Sequence, residues 1–537
     1  MIINPYIYGV ATSYDPDAQL FFNAQTAAGV TLTTTQMNAV NQWVVDAKAA
    51  NIWTKFKAIY PFVGSTATAH KFNLKNPLDT NAAFRLVFYG GGTFSANGYS
   101  PGGVNGYADT FLTPSTALTN NNTHLSVYSR TNSSSGANAS EIGSYVGIAY
   151  IDILIKEGSN SFVSDQYNFS TNRIAIANAN SQGFYLSTRT SSTVFKAFKN
   201  SAQFGSTVTN VSNPSVNTII GNIYLSSLNN SGVAVNFSNR ELAFSTIGDG
   251  LTDLESQLFY QITEKYQVAL GRNINALQSF YYNSAYNNET NAFLFSTQIT
   301  DNTIQTATNT LVTDLKTANI FTKMKAIYPM VGGTATTHKF NLVNAQDTDA
   351  AYRLVFSGGG THSSNGYSPG GVNGYANTFL NSLSNLTGTS THLSYYSRTA
   401  TPVNTTVEIG CGQVVPPYCA LAVSVARAFD SGEEGGVARA NFTTTTNAQG
   451  FWLGTKRSNT DRENYLNGIS QTTKTVSDTL AFPNLTLYLG AINRGTPNLY
   501  SSKQCAFASI GDGLSDAEAL ALYNAVQTFN TTLARQV

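Results

Sequence analysis

Residues Ala58–Leu74 read AIYPFVGSTATAHKFNL, and residues Ala326–Leu342 read AIYPMVGGTATTHKFNL. The likeness continues for 73 residues at a constant spacing of 268, and about 50 of those positions are identical. A repeat this long is a whole domain rather than one unit of a solenoid. Both copies close on IGDGL, at Ile247–Leu251 and Ile510–Leu514. The chain therefore contains two related domains of roughly 260 residues each, a size that suits a large all-β sandwich.

Composition narrows the class of protein. Charged residues make up 11% of the 537 residues, with a formal net charge of +1. Soluble proteins average about 25%, so the charge gives no basis for binding nucleic acid or an anionic membrane. The 29 Tyr and 31 Phe, among many Asn, Thr and Gly residues, are typical of short strands joined by turns. We associate this composition with proteins that work outside cells, virion proteins among them.

The start of the sequence carries no recognisable targeting signal. It reads MIINPYIYGVATSYDPDA, without a basic region or a long apolar run. No stretch approaches the roughly 18 apolar residues that span a bilayer. We therefore expect no membrane insertion, and release from the producing cell by lysis or another route that needs no signal.

Each domain is predicted to have one helix near its start and one at its end. Val40, Trp43, Val44 and Ala47 recur at helical spacing, and Leu311, Val312 and Leu315 do so in the second copy. The closing helices follow IGDGL, where Thr252 with Glu255 and Ser515 with Glu518 fit capping boxes. Asp249 and Asp512 are interpreted as turn residues rather than calcium ligands, and no metal site is predicted.

An aromatic segment precedes each domain. We divide the chain into an N-terminal extended strand over 1–13, a first jelly-roll repeat over 14–273, a linker or leading strand over 274–286, and a second repeat over 287–537. An extended strand can add to the sheet of a neighbouring subunit. Ile3, Tyr6 and Tyr8 are the predicted inter-subunit contacts.

A glycine-rich loop is the strongest candidate for a binding surface. NGYSPGGVNGY at Asn97–Tyr107 recurs unchanged at Asn365–Tyr375. Glycine permits close backbone approach, while Asn and Tyr hydrogen-bond and stack on sugars. The alternative, weighed equally, is a turn that both copies need for folding. The candidate ligand-facing or subunit-facing residues are Asn97, Tyr99, Asn105, Tyr107, Asn365, Tyr367, Asn373 and Tyr375.

The histidines and cysteines of the sequence do not form a recognisable catalytic motif. His70 and His338 lie in the shared HKFNL without a nucleophile paired by motif, so we interpret both as structural. Cys411 and Cys419 flank GQVVPPY, where two alternatives stay open: a local disulfide or two thiols. Cys505 is the third cysteine. No catalytic residue and no cofactor is predicted.

The end of each copy resembles a known family. Tyr488–Asn493 reads YLGAIN, then comes the loop RGTPNLYSS, and Leu514–Tyr523 reads LSDAEALALY. This order is similar to the closing strands and helix of concanavalin A-like, laminin-G-like jelly-roll domains. The resemblance covers roughly the last 50 residues of each copy and implies a lectin-like fold. The chain has neither the acidic metal cluster of legume lectins nor the Glu-x-Asp-x-x-Glu pattern of the related glucanases.

A longer pattern, which runs in the second copy from KAIYPMVGGTA and HKFNL to IGDGLSD and TTLARQV, also looks like modules of tailed-phage and metagenomic virion structural proteins. The predicted fold is therefore all-β dominated: two tandem concanavalin A-like jelly-roll β-sandwiches, each with an N-terminal and a C-terminal helix. The predicted function is a non-catalytic subunit of an extracellular or virion fibre, built by head-to-tail self-association. A glycan-binding adhesin or phage receptor-binding protein is the alternative, and a polysaccharide-cleaving enzyme is a third, weaker one.

Overall fold

The structure is a computed structural model of the chain. It describes residues 13–133, 138–158, 160–168, 172–209, 219–402, 406–413, 417–423, 428–431, 440, 441, 447–477 and 481–537. Ile3, Tyr6 and Tyr8 lie outside the described residues, as does nearly all of the predicted N-terminal strand. The chain divides into two compact units, Met1–Ser284 and Ala285–Val537. We call them unit 1 and unit 2.

Unit 1 contains five α-helices and seventeen strands among its described residues. The helices are α1 (Pro16–Ala27), α2 (Thr34–Ala49), α3 (Ala67–His70), α4 (Pro114–Ala117) and α5 (Asp253–Ala269). The strands are β1 (Phe56–Tyr60), β2 (Val87–Tyr89), β3 (Thr93–Ser95), β4 (Gly98–Ser100), β5 (Tyr107–Asp109), β6 (Thr123–Ser129), β7 (Ile142–Val146), β8 (Ala149–Glu157), β9 (Ser161–Asn168), β10 (Ile174–Ala177), β11 (Gly183–Ser191), β12 (Val194–Lys199), β13 (Ala202–Gln203), β14 (Tyr224–Leu225), β15 (Leu228–Asn230), β16 (Val233–Val235) and β17 (Leu242–Gly248).

The strands of unit 1 form two sheets. The first sheet has the order β13-β12-β11-β6-β17-β4-β3, with β1 also paired to β17. The second has the order β10-β9-β8-β7-β14-β5-β2, with β15 and β16 attached beside β7. Leu125 and Val127 of the first sheet share one buried cluster with Ile151 and Ile153 of the second. The core therefore lies between the sheets, as in a β-sandwich.

The outer face of the first sheet is covered by helices. Trp43 of α2 lies 5.2 Å from Phe244 of β17 and 6.3 Å from Phe259 of α5, measured between ring centroids. Phe259 in turn contacts Phe184 of β11 at 5.0 Å. Unit 1 is thus built as a helical layer, a sheet buried on both faces, and a second sheet whose outer face retains partly exposed side chains.

Unit 2 repeats this plan. Its described helices are α6 (Asn288–Thr297), α7 (Asn302–Thr317), α8 (Ala335–His338), α9 (Ser382–Asn385) and α10 (Asp516–Thr532). Its strands are β18 (Met324–Tyr328), β19 (Val355–Ser357), β20 (Thr361–Ser363), β21 (Gly366–Ser368), β22 (Tyr375–Asn381), β23 (Thr391–Ser397), β24 (Ile409–Gly412), β25 (Tyr418–Ala422), β26 (Ala428–Ser431), β27 (Ala440–Asn441), β28 (Gly450–Ser458), β29 (Asp461–Leu466), β30 (Ile469–Lys474), β31 (Thr486–Leu489), β32 (Ile492–Asn493), β33 (Pro497–Asn498) and β34 (Cys505–Gly511).

The two sheets of unit 2 have the matching strand orders. They are β20-β21-β34-β23-β28-β29-β30 with β18 on β34, and β19-β22-β31-β24-β25-β26-β27 with β32 and β33 beside β24. Leu393, Tyr395 and Trp452 of the first sheet join Ile409 and Leu421 of the second in one core. The predicted all-β sandwich class is confirmed in both units, while the jelly-roll topology stays a prediction.

The predicted helices form, and the described residues of each unit contain three further helices that the sequence analysis did not anticipate. The capping boxes are present, with Thr252 and Ser515 each accepting from the backbone of the glutamate three residues on. Two of the further helices, α3 and α4 in unit 1 and α8 and α9 in unit 2, are single turns of four residues. The third is longer: α1 precedes the predicted α2, and α6 precedes the predicted α7.

The segment 274–286 forms no strand, contrary to the leading-strand interpretation. Its residues up to Ser284 belong to unit 1, where Phe280 and Tyr282 are buried. Lys265 of α5 donates to the Tyr282 carbonyl at 3.0 Å. Two of the aromatic residues that suggested a strand, Phe280 and Tyr282, are instead buried in unit 1.

Candidate functional site

The repeated glycine-rich loop has a structural reason for two of the four glycines in each copy. A Cβ on Gly98 would lie 2.2 Å from the Leu242 carbonyl oxygen, and one on Gly106 would lie 2.0 Å from that of Pro101. The same contacts recur in unit 2, where Gly366 faces Cys505 and Gly374 faces Pro369. Close backbone approach therefore accounts for these glycines in both copies without a ligand.

Tyr99 and Tyr367 are not available to a ligand, so their prediction as ligand-facing residues is wrong. Both are fully buried, since β4 and β21 alternate and point these rings into the sandwich. Tyr99 packs against Phe94 at 5.3 Å, and Tyr367 against His362 at 5.0 Å.

The four asparagines of the loop divide into two pairs. Asn105 Oδ1 accepts from the Gly91 N–H at 3.0 Å, and Asn373 Oδ1 accepts from Gly359 at 2.8 Å. These two therefore tie the loop to the neighbouring GGG turn. Asn97 and Asn365 are exposed, and their backbone N–H groups donate to Ser95 Oγ and Ser363 Oγ.

Tyr107 lies at the centre of an aromatic cluster on the outer face of the second sheet of unit 1. Its ring centroid is 5.0 Å from Tyr89 of β2, 4.9 Å from Tyr224 of β14 and 6.2 Å from Phe237. The strands bring these rings together because β5 pairs with both β2 and β14. We call Tyr89, Tyr107, Tyr224 and Phe237 the unit 1 platform. Tyr89 is 43% exposed, so the platform reaches solvent.

Unit 2 has the equivalent cluster around Tyr375. Its ring lies 4.8 Å from Tyr488 of β31 and 6.4 Å from Tyr500. All three rings are partly exposed, and we call them the unit 2 platform. Ser357 of β19 stands opposite Tyr375, where unit 1 has Tyr89.

A carboxylate adjoins the unit 1 platform. Asp109 is paired in register with Tyr224, and it accepts from Phe111 N–H at 2.8 Å and Asn222 Nδ2 at 3.0 Å. Burial raises the pKa of Asp109. Burial, followed by the field of Asp109, raises the pKa of Tyr224 to about 12. Unit 2 has Asn377 in this place, paired with Tyr488.

The sheet also brings together two carboxylates that sequence spacing did not reveal. Asp152 of β8 and Asp165 of β9 are register partners, and Arg173 pairs with Asp165 at 2.7 Å. Burial, and then the charge of Asp165, raise the pKa of Asp152 well above its ordinary value. Asp152 is 3% exposed and Asp165 fully buried. A polymeric substrate has no access to such a pair, so it is a poor candidate for acid–base catalysis.

The remaining sequence candidates have structural surroundings. Burial lowers the pKa of His70 to about 4, and burial followed by His362 lowers that of His338 to about 3. Both are buried and neutral, which agrees with their structural interpretation. Asp249 and Asp512 form ion pairs with Lys57 and Lys325, at 3.3 Å and 3.4 Å.

Of the two alternatives left open for Cys411 and Cys419, the structure contains two thiols and not the disulfide. Cys411 and Cys419 face each other across β24 and β25, and both carry thiols, as does Cys505. The Cys411 thiol instead donates to Ser382 Oγ at 3.2 Å within the core. The Glu408 N–H donates to the Leu421 carbonyl in unit 2, as the Glu141 N–H donates to the Ile153 carbonyl in unit 1. Leu421 therefore corresponds to Ile153, and Cys419, two residues earlier, corresponds to Ile151. Both alignment partners are buried, which explains why a small apolar thiol suits the position.

No helix among the described residues is long and apolar enough to cross a membrane. No family model matches the chain, and no curated protein matches it either.

Solved structures do resemble parts of the chain. Domain 4 of an extracellular arabinanase from Geobacillus stearothermophilus, in complex with arabinotriose, is 13% identical over 37% of this chain and 98% of its own, with a TM-score of 0.24. A mutant of a sialidase from Streptococcus pneumoniae is 15% identical over 26% of this chain, with a TM-score of 0.21, and this chain spans 24% of its length. The Trypanosoma rangeli sialidase is 10% identical over 72% of this chain and 62% of its own, with a TM-score of 0.27. These values are too low to support an argument about function.

Proposed function

We propose that the chain is a non-catalytic, extracellular glycan-binding protein with one binding platform on each unit. The observation that carries this proposal is the aromatic cluster, which recurs at equivalent places around Tyr107 and Tyr375. Tyrosine offers an apolar ring together with a polar hydroxyl, which suits a ligand with apolar faces and hydroxyl edges.

Two platforms on one chain favour multivalent binding. Individually weak sites gain overall affinity when one ligand or surface engages both. A duplication that retains the same ring cluster in both copies is what such a mechanism requires. Each unit would bind on its own, with the linked pair holding a polysaccharide or a glycan-coated surface.

A glycan array tests the proposal directly. The wild-type chain is expected to bind a defined subset of glycans, and the double variant Tyr107→Ala/Tyr375→Ala to lose at least tenfold in affinity, about 1.4 kcal/mol. The matched control is Tyr99→Phe/Tyr367→Phe, because both of those hydroxyls are buried without a partner. An array that stays blank at high protein concentration, or equal binding by the platform variant and the control, would contradict the proposal.

A fibre subunit, in a virion or another extracellular filament, is our second proposal. Its support is the tandem duplication itself, since head-to-tail stacking of modules builds an open assembly. It is compatible with glycan binding, because a receptor-binding fibre combines both. Electron microscopy of the full chain and of a variant without residues 1–13 tests it. Regular filaments that disappear when residues 1–13 are deleted would support this proposal. Normal assembly without those residues would rule out the addition of this strand to the sheet of a neighbouring subunit.

A further inference from the structure

The platforms of the two units differ in one charge. Asp109 lies in the row of side chains that contains Tyr224, whereas Asn377 occupies the same place beside Tyr488. Asp109 is 7% exposed and is hydrogen-bonded by two neutral groups, the Phe111 N–H and the Asn222 amide. Across the ranges that the structure describes, no lysine, arginine or histidine forms an ion pair with Asp109. The carboxylate therefore has no balancing cation of its own.

The platforms also differ in one ring. Tyr89 stacks on Tyr107 with an angle of 16° between the ring planes, and Ser357 replaces it in unit 2. Unit 1 consequently places three tyrosine rings next to an uncompensated carboxylate. Tyrosine rings attract cations through their quadrupole, and a partly desolvated carboxylate adds a direct charge attraction.

From this difference we propose that the unit 1 platform selects glycans that carry free ammonium groups, such as oligosaccharides of 2-amino-2-deoxy sugars. Unit 2, which has an amide and one ring fewer, binds neutral glycans without this preference. The inference rests on the proposed glycan-binding function and adds a charge requirement to one of its two sites. Asp109 acts as the specificity-determining residue, with Tyr89 as the outer ring.

The test uses calorimetry on full-length variants in which one platform is disabled. Tyr375→Ala leaves unit 1 as the working site, and Tyr107→Ala leaves unit 2. The probes are a glucosamine hexamer and its fully N-acetylated counterpart, which differ in charge. We expect the Tyr375→Ala variant to bind the glucosamine hexamer at least fivefold more tightly than the acetylated one, and to lose this preference in high salt.

Reciprocal substitutions make the test specific. Adding Asp109→Asn to the Tyr375→Ala variant is expected to abolish the preference, and adding Asn377→Asp to the Tyr107→Ala variant to create one. Each change installs the residue that the other unit already tolerates, so folding is expected to survive. Equal affinity of unit 1 for the two hexamers overturns the charge inference and leaves glycan binding intact. Failure of both hexamers to bind unit 1 also overturns it, and the array then decides separately whether the chain binds glycans at all.

Discussion

At the residue scale, the two units carry different side chains at one position of the closing helix, a buried glutamate in unit 1 and a partly buried glutamine in unit 2. Glu264 of α5 is fully buried, with its carboxylate accepting from Tyr128 OH at 2.9 Å and Asn275 Nδ2 at 3.2 Å. Its second oxygen, Oε1, is buried without a partner. Burial raises the pKa of Glu264 above its ordinary value. Unit 2 has Gln527 in this position, accepting from Tyr396 OH at 3.0 Å.

We predict that Glu264→Gln stabilises unit 1 at neutral pH by about 1 kcal/mol, since a buried carboxylate no longer has to be ionised. A carboxyl whose pKa is raised by folding favours the folded state below its unfolded pKa, and that contribution is lost as the pH rises through the folded pKa. The difference in the free energy of unfolding between Glu264→Gln and wild type is therefore expected to grow between pH 4.5 and pH 7. Hydrogen exchange of α5 in urea, which follows unit 1 separately, measures it. A variant that is less stable than wild type at pH 7 would contradict this prediction.

Among the residues that the structure describes, each unit also contains one completely buried ion pair. Arg240 pairs with Glu141 in unit 1 and donates to the Ser133 carbonyl at 3.0 Å. Lys503 pairs with Glu408 at 3.1 Å in unit 2. All four side chains are fully buried, so each charge depends on its partner.

We predict that Arg240→Lys lowers the free energy of unfolding of unit 1 by about 1–2 kcal/mol, because carbonyl contacts are lost while the pair is retained. Arg240→Met is expected to lower it by about 3–5 kcal/mol, because it removes the cation of a buried pair and leaves Glu141 with only the neutral donors Ile155 N–H and Ser238 OH. The same exchange measurement, applied to β7 and β8, ranks the two variants. Equal stability of the two would mean that the charge of residue 240 does not matter.

The site illustrates what can be predicted at this scale. Tyr107 and Tyr375 were identified from the repeated loop, and both belong to the platforms. Tyr99 was not separable from Tyr107 by residue type, because strand alternation decides which ring faces the core. Tyr224 was missed, since it meets Tyr107 only through the pairing of two strands that are far apart in sequence. Tyr224 recurs as Tyr488 in a part of the repeat where the two copies otherwise differ. This recurrence was the signal in the sequence that could have identified Tyr224 as a member of the site.

At the scale of elements, the closing helices depend on their capping boxes. Thr252 caps α5 and Glu255 reaches back to its N–H at 2.8 Å, and Lys55 next to β1 pairs with Glu255 at 2.6 Å. We predict that Thr252→Ala lowers the stability of unit 1 by about 1 kcal/mol, whereas Thr252→Ser leaves it nearly unchanged. Faster exchange in the first turn of α5, confined to the alanine variant, is the expected observation. Similar exchange in both variants would argue against a role for the hydroxyl.

The elements that were predicted are those with a clear period or cap. Helices α2 and α7 were predicted from their period, α5 and α10 from their capping boxes, and the structure contains all four. Helices α1 and α6 were missed because adjacent phenylalanines, as at Phe21 and Phe22, obscure helical spacing. Asp15 followed by Pro16 was a helix-start signal that the aromatic composition masked.

At the scale of the whole molecule, the duplication preserves the sandwich and the ring cluster while the surroundings of the cluster diverge. Tyr89 and Asp109 in unit 1 become Ser357 and Asn377 in unit 2. A scaffold that holds its rings at the same register while changing their neighbours can bind related but distinct ligands. The shared rings serve the proposed two-site binding, and the divergence at Asp109 and Tyr89 belongs to the charge preference proposed for unit 1.

The stoichiometry of binding tests this account most directly. Calorimetry with a short oligosaccharide found on the array is predicted to give two sites on the wild-type chain. It is predicted to give one site for Tyr107→Ala, one for Tyr375→Ala and none for the double variant, with Tyr99→Phe unchanged. Retention of two sites in the double variant would contradict the central claim that the aromatic platforms bind glycans.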